Sequence, residues 1–269
     1  MKRTLFSICF ISIAILINAA KVDTLEVYSN SMKKSIKTCI IVPETYSSTG
    51  ESYPVLYLLA AYGTDHTTWV NPGILELSDK YNIIFVGVDG GHSSWYFDSP
   101  IDSAMKYETY VAKELISFID ATFNTIKSRK GRAIMGASMG GHGALYLVMR
   151  HQNIFGAAGS MSGVIDIRQF PTGYDLAKRL GDKALFPENW EKNTVLAQLY
   201  LCKKDNLAFI IDCGVNDPQI SSNRELHDMM LYFRIDHDYI ERPGGHNVAY
   251  WMNSFPYQIL FFNNFSQRE

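Results

Sequence analysis

A serine stands between small residues in Gly136-Ala137-Ser138-Met139-Gly140-Gly141, which matches the pattern G-x-S-x-G. The apolar run 132–135 predicts a short strand entering the motif, and Gly141–Arg150 predicts a helix leaving it. Such a turn strains the serine backbone and exposes its hydroxyl at the sheet edge, while the glycines let strand and helix approach closely. We therefore predict that Ser138 is a nucleophile; the competing interpretation is a Gly-rich turn whose serine has no chemical role.

A serine hydroxyl attacks poorly unless a base removes its proton, so a histidine oriented by a carboxylate is required. His246 lies in a Gly-rich loop that follows a predicted strand at 239–241. His142 is only four residues past Ser138 and should point along the predicted helix that leaves this turn, so it is a poorer base. Asp217 lies in the loop after the predicted strand 207–213, whereas Asp212 lies within that strand, where we expect a structural role. The order Ser138, Asp217, His246 is the order found in α/β-hydrolases.

The elements that must position these residues alternate along the chain. Apolar runs typical of strands buried on both faces recur, at 37–42, 55–59, 82–88, 133–136, 157–161 and 207–213. Between them, apolar residues every four positions predict a helix at 107–124, with others near 141–150 and 226–233. We predict a single α/β domain at 21–269, with a mostly parallel sheet and helices on both faces. The less regular stretch 164–206 is either a small cap insertion over a cleft or a pair of ordinary surface helices.

The N-terminus has a basic start at Lys2-Arg3, an apolar run from Leu5 to Ile17 and small residues at Ala19-Ala20. This order is typical of a cleaved secretory signal peptide at 1–20, and a retained anchor is the alternative. We therefore expect a secreted or periplasmic bacterial protein with no stable membrane span after cleavage. The whole chain of 269 residues has a net charge of −2. Nearly balanced charge argues against nucleic acid as a partner.

Cys39, Cys202 and Cys213 remain after signal removal, an odd number without C-x-x-C spacing. Cys39 and Cys213 lie in predicted strands, where a free cysteine behaves as a small hydrophobe. One disulfide is possible, but its pairing cannot be assigned. The sequence has no metal-binding motif and no phosphate-binding P-loop, so we predict that the protein uses neither a metal nor another cofactor.

The chain resembles the bacterial putative-esterase family of α/β-hydrolases, which includes feruloyl and acetylxylan esterases, S-formylglutathione hydrolases and mycolyltransferases. The resemblance covers nearly the whole mature chain and rests on segments 53–59, 89–96, 107–110, 136–143, 213–217 and 244–251. It implies the α/β-hydrolase fold, with Ser138 as nucleophile, His246 as base and Asp217 as the acid that orients it. It also implies an oxyanion hole formed by the backbone N–H groups of Met139 and Tyr62.

One departure from the family falls beside the oxyanion hole. Members carry His-Gly or Asp-Gly after the second predicted strand, where this chain has Ala60-Ala61. If that position needs a positive φ, Ala61 is strained and the amide is misaimed. We expect reduced or altered activity, because losing one oxyanion donor costs on the order of 100–1,000-fold in rate.

Aromatic residues make up 13% of the chain, which fits either exposed rings in a cleft or a large aromatic core. If the rings line a cleft, the predicted substrate-binding residues are Trp69, Trp95, Tyr96 and Trp190. The expected activity is hydrolysis of acetyl or feruloyl esters on carbohydrate through an acyl-enzyme, the substrate being a small or polysaccharide-linked ester. The alternatives are a thioesterase like S-formylglutathione hydrolase and a binding protein on an impaired hydrolase scaffold.

Overall fold

The computed structural model describes residues 19–203 and 207–267. Within these ranges the chain forms one eight-stranded sheet in the order β1-β2-β4-β3-β5-β6-β7-β8. The strands β1 and β2 are antiparallel to their neighbours, and the remaining six run parallel to one another. The predicted α/β architecture with a mostly parallel sheet is confirmed. The strand bounds are Lys21–Ser29, Lys34–Val42, Val55–Leu59, Ile84–Val88, Arg132–Ala137, Ala157–Met161, Ala208–Gly214 and Asp238–Arg242 for β1 to β8.

The helices fill the connections between the parallel strands and cover both faces of the sheet. Their bounds are Pro72–Tyr81 (α1), Tyr107–Thr109 (α2), Ile116–Thr122 (α3), Met139–Arg150 (α4), Leu176–Leu180 (α5), Pro187–Lys192 (α6), Ile220–Tyr232 (α7) and Val248–Ser266 (α8). A π-helical stretch, Tyr110–Leu115, joins α2 to α3, so the single helix predicted for 107–124 has three consecutive helical segments. Its apolar stripe is buried at Val111, Leu115 and Ile119.

The central strands are hydrophobic on both faces because helices cover both sides of the sheet. Every residue of β3, β4, β5 and β6 is buried. The edge strand β1 has a different pattern, with polar residues exposed along most of its length, and the sequence did not predict it. It pairs residue by residue with β2, from Lys21 opposite Val42 to Ser29 opposite Lys34.

The stretch predicted as a cap lies between β6 and β7 and consists of short helical pieces, α5, α6 and two 3₁₀ turns. It is tied to the loop after β4, since the indole of Trp95 donates to the carbonyl of Tyr174 over 3.1 Å and Arg179 pairs with Asp102. It is also tied to α4, where the His142 imidazole contacts the carbonyl of Asn193 at 2.9 Å.

The predicted signal peptide lies almost wholly outside the described residues, as does Cys9. In the part of the chain that the structure describes, no helix combines the length and apolar character needed to cross a bilayer. Cys39, Cys202 and Cys213 are all free thiols. Burial raises the pKa of Cys39 to about 11 and that of Cys202 to about 12, which keeps both in the unreactive thiol form at neutral pH.

Candidate active site

The turn between β5 and α4 carries Ser138 in a strained backbone conformation, with φ 55° and ψ −117°. This conformation is rare for any residue with a side chain, so the surrounding structure must enforce it. Both backbone polar groups of Ser138 are bonded: its N–H donates to the Met161 carbonyl over 3.0 Å, and its carbonyl accepts from the His142 N–H over 3.0 Å. This turn, which we call the elbow, therefore holds the Ser138 hydroxyl in a fixed position.

The glycines of the motif are needed for close packing around this turn. A Cβ at Gly136 would lie 2.5 Å from the Gly140 carbonyl carbon, where strand and helix meet. A Cβ at Gly140 would collide with the Leu59 carbonyl and lie 2.9 Å from the Ala60 carbonyl oxygen. The pattern G-x-S-x-G therefore reflects contact between β5, the first turn of α4 and the end of β3.

The three predicted triad residues come together at the carboxyl edge of the sheet. The Nε2 atom of His246 lies 2.9 Å from Ser138 Oγ, and its Nδ1 atom lies 3.1 and 3.0 Å from the two Asp217 oxygens. Asp217 is 2% exposed. Burial acts to raise the pKa of this carboxyl, but hydrogen bonds from His246 and the Gln219 N–H outweigh it and lower the pKa. Asp217 is thus an anion aimed at one imidazole nitrogen while the other faces the serine.

Two loops hold Asp217 and His246 in this arrangement. The loop after β7 bonds to the loop after β8, with Val215 N–H donating to the Arg242 carbonyl and Asn216 N–H to the Gly244 carbonyl, each over 2.9 Å. Gly244 has a φ of 142°, which a residue with a side chain rarely adopts. Helix α8 begins at Val248, and the side chain of its N-cap residue, Asn247, accepts from Tyr250 N–H over 3.0 Å.

The second carboxylate of this region, Asp212, is fully buried in β7 and does not face the serine. It pairs with the Arg242 guanidinium and accepts a hydrogen bond from the Tyr250 hydroxyl. Arg242 ends β8, just before the loop that carries His246, and Tyr250 lies in α8 just after it, so Asp212 holds the chain on both sides of that loop. Its side chain therefore has the structural environment predicted for it.

The two predicted oxyanion donors lie where the first turn of α4 meets the loop after β3. Met139 is the first residue of α4, and an amide at that position has no partner within the helix. Neither Ala60 nor Ala61 has a positive φ; Gly63, two residues further on, makes that turn at φ 74°. The strain expected at Ala61 is therefore absent. The carbonyl of Ala60 accepts from the Tyr96 hydroxyl over 2.9 Å, which supports the loop from behind.

The prediction that four aromatic residues line the cleft is wrong. These residues are no more than 1% exposed, and each ring directs its one polar atom to a backbone carbonyl of the protein. The donors and acceptors are Trp69 to Leu59, Trp95 to Tyr174, Tyr96 to Ala60 and Trp190 to Gly181. A ring whose N–H or O–H group has a carbonyl partner needs no water and packs like any apolar side chain. The alternative of a large aromatic core is therefore correct for these four residues.

Rings that are accessible beside the site belong to other residues. Tyr62 lies with its ring centre 4.8 Å from that of His92 and 5.5 Å from that of Tyr174, and Tyr174 is 49% exposed. Trp251, by contrast, is buried, and its ring stands at right angles to the His246 imidazole with ring centres 5.3 Å apart. The sequence reasoning had no signal for Tyr174, which lies in the irregular cap. Trp251 lies in segment 244–251, on which the resemblance to the esterase family rests, but no site role was predicted for it.

His142 is fully buried beneath the elbow. Its ring stacks on Tyr146 at 5.8 Å, and burial lowers its pKa to about 4. It is therefore neutral at physiological pH and directed to the cap, not to Ser138. Among the described residues, no group of three or more His, Cys, Asp or Glu side chains could hold a metal ion.

The family model described as putative esterase matches residues 29–262. The chain belongs to the putative esterase family. An esterase of Mycobacterium tuberculosis is 38% identical over 135 residues, which cover 48% of this chain but only 29% of that relative. An acetyl esterase of Caldicellulosiruptor saccharolyticus is 28% identical over 244 residues, covering 83% of this chain and 91% of the relative.

A solved structure of a ferulic acid esterase matches with a TM-score of 0.81 and 25% identity, covering 93% of this chain and all of the other. Its likeness and the strand order confirm the α/β-hydrolase fold. By family and fold, the chain is an α/β-hydrolase of the putative esterase family.

Proposed function

We propose that this protein is a secreted or periplasmic serine carboxylesterase that removes acetyl or feruloyl groups from carbohydrate. The observation that carries the proposal is the continuous hydrogen-bonded series Ser138 Oγ, His246 and Asp217 at the sheet edge, with distances of 2.9 and 3.0 Å. The family match and the acetyl esterase and ferulic acid esterase relatives support the ester chemistry.

In the proposed reaction, His246 Nε2 takes the proton of Ser138 as Oγ attacks the ester carbonyl carbon. The carbonyl oxygen becomes an oxyanion, and the backbone N–H groups of Met139 and Tyr62 stabilise it. The tetrahedral intermediate collapses, His246 gives its proton to the departing alcohol oxygen, and the acyl group stays on Ser138. Water, deprotonated by His246, then attacks the acyl-enzyme, and the acid leaves as the proton returns to Ser138. Asp217 stabilises the imidazolium in both halves.

Because the four aromatic residues predicted to bind substrate are buried, Tyr62 and Tyr174 form the accessible aromatic surface beside the predicted oxyanion loop. We assign to them the contact with the acyl or sugar part of the substrate, because a flat exposed ring packs well on a phenolic acyl group or on a sugar face. The carbohydrate class of the alcohol is inferred from the resemblance to feruloyl and acetylxylan esterases and from the proposed export, and it is tested separately from the ester chemistry.

The first experiment measures hydrolysis of p-nitrophenyl acetate by the mature protein and by Ser138→Ala. We expect turnover by the wild type only, and equal rates for the two proteins would refute the esterase proposal. Methyl ferulate, acetylated xylan and S-formylglutathione then compare the substrate classes. Preference for the glutathione thioester would favour the thioesterase alternative.

Export is tested by fractionating the native host and measuring the mass of the protein by mass spectrometry. We expect the protein in the periplasm or medium with residues 1–20 removed. Full-length protein retained inside the cell would contradict the proposed localisation without affecting the proposed chemistry.

A further inference from the structure

A groove of about 640 Å³ lies on the flank of α4, outside the Ser138 site. Its walls come from the loop after β4, from the helix at α2, from the C-terminal half of α4 and from the cap. Most of the lining side chains have polar groups, which include carboxylate, amide, guanidinium and ammonium groups. Nothing in the proposed reaction uses these residues.

The floor of the groove is a fixed hydrogen-bond network around Glu108. Its carboxylate accepts from Arg150 Nε over 2.8 Å and from the Tyr146 hydroxyl over 2.9 Å, and it lies 2.9 Å from His151 Nε2. Burial acts to raise the pKa of Glu108, but these hydrogen bonds outweigh it and hold the pKa at about 2. The floor is therefore rigid, and its negative charge is balanced by its own partners.

The rim offers groups that remain available to a ligand. Tyr200 is 77% exposed, and the Lys113 side chain is also exposed at the groove. Lys192 on the opposite wall is paired with Glu188 at 3.3 Å. The groove thus combines paired charges, one exposed ammonium group, hydrogen-bonding groups of both kinds and one exposed aromatic face.

This combination favours a neutral, polyhydroxylated ligand. A phosphate or a nucleic acid needs a concentrated positive field, which the paired charges of the floor and wall do not provide. Sugar hydroxyls both donate and accept hydrogen bonds, and the C–H face of a pyranose packs on an exposed phenol ring.

The position of the groove also favours a chain over a small molecule. Helix α4 begins at Met139, directly after Ser138, and ends at Arg150 in the groove, and its 12 residues span about 18 Å. A small ester bound at Ser138 does not reach so far, whereas the backbone of a polysaccharide ester can contact both places.

We propose that this flank groove binds the sugar chain of the carbohydrate substrate, with Tyr200 packing on a pyranose ring and the polar walls bonding its hydroxyls. The inference rests on the proposed carbohydrate-linked substrate. It adds a second contact that holds the polymer while its acyl group lies at Ser138.

The test uses the full mature chain carrying Ser138→Ala, which turns over no ester, and titrates it with xylohexaose in a calorimeter. Tyr200→Ala is added to this background, with Tyr232→Ala as the matched control, because Tyr232 is 83% exposed and lies outside the groove. We expect Tyr200→Ala to weaken xylohexaose binding about 5- to 10-fold, as for the loss of one aromatic contact. Tyr232→Ala should leave the affinity unchanged, and unaltered melting temperatures will show that both variants are folded.

Absence of xylohexaose binding, or equal affinities for Tyr200→Ala and Tyr232→Ala, would overturn the inference. So would binding of inorganic phosphate at the groove without binding of the oligosaccharide. These outcomes are separable from failure of the esterase proposal, because hydrolysis of p-nitrophenyl acetate is measured on the protein that retains Ser138.

Discussion

Two buried carboxylates five residues apart, Asp212 and Asp217, have different environments at the same edge of the sheet. Asp212 lies inside β7 and is neutralised by a permanent cation, Arg242, with help from Tyr250. Asp217 lies in the loop beyond β7, and its partner is the imidazole of His246. A carboxylate paired with arginine contributes to structure, whereas one paired with a titratable imidazole can stabilise a charge that appears only during reaction. We therefore expect their substitutions to separate stability from activity.

The largest effect is expected for Asp217→Asn, which should lower kcat about 10³–10⁴-fold. The amide oxygen would continue to accept from the Gln219 N–H, now 2.8 Å from Asp217 Oδ1, leaving the NH₂ group to face His246. His246 would then hold its proton on Nε2 and could not accept one from Ser138. Steady-state hydrolysis of p-nitrophenyl acetate measures the loss, and a decrease of less than tenfold would contradict the assigned role.

Asp212→Asn should act mainly on stability, lowering the free energy of unfolding by about 2–3 kcal/mol. The substitution leaves Arg242 without its anion, and the partial exposure of that side chain, 20%, keeps the cost below that of a fully buried charge. Urea unfolding measures the change. Activity of the folded variant should remain well above that of Asp217→Asn, and the reverse order of activities would break the comparison.

The buried imidazole of His142 extends the comparison to pH. Its pKa is about 4 in the folded protein, below the ordinary value of 6.5, so the unfolded chain binds more protons between these values. Stability should therefore fall as the pH decreases from 6.5 to 4, by at most about 3 kcal/mol from this residue.

His142→Gln should flatten that part of the stability profile, measured by urea unfolding at several pH values. His92→Gln, which changes an exposed histidine, is the control and should keep the wild-type slope. Equal slopes for wild type and His142→Gln would show that acid sensitivity comes from other groups.

The smallest effect is expected for Tyr174→Ala in the cap. Loss of its exposed ring should raise KM for methyl ferulate about 3- to 10-fold, because one aromatic contact with the acyl group is removed. The KM for p-nitrophenyl acetate, whose acyl group is too small to cover a ring, should change less than twofold. An equal rise for both substrates would indicate a general disturbance of the site.

The sequence predicted the central strands well because strands buried on both faces are continuous apolar runs. Val55–Leu59 and Ala157–Met161 have the predicted bounds. It did not reveal β1, because an edge strand with one face in solvent carries polar residues and takes its register from β2. The three-part helix at 107–122 was predicted as one helix because periodicity does not distinguish a π-helical turn from an α-helical one.

What the sequence determined by itself was the set and order of Ser138, Asp217 and His246, because each follows a recognisable strand in a loop of special composition. Only the tertiary structure decided which aromatic rings are buried in the core and which groups the carboxylates of Asp212 and Asp217 contact. Trp69, Trp95, Tyr96 and Trp190 proved to be core residues because a carbonyl elsewhere in the chain satisfies each polar atom. Residue type and spacing do not specify such long-range partners, which exist only once the chain has folded.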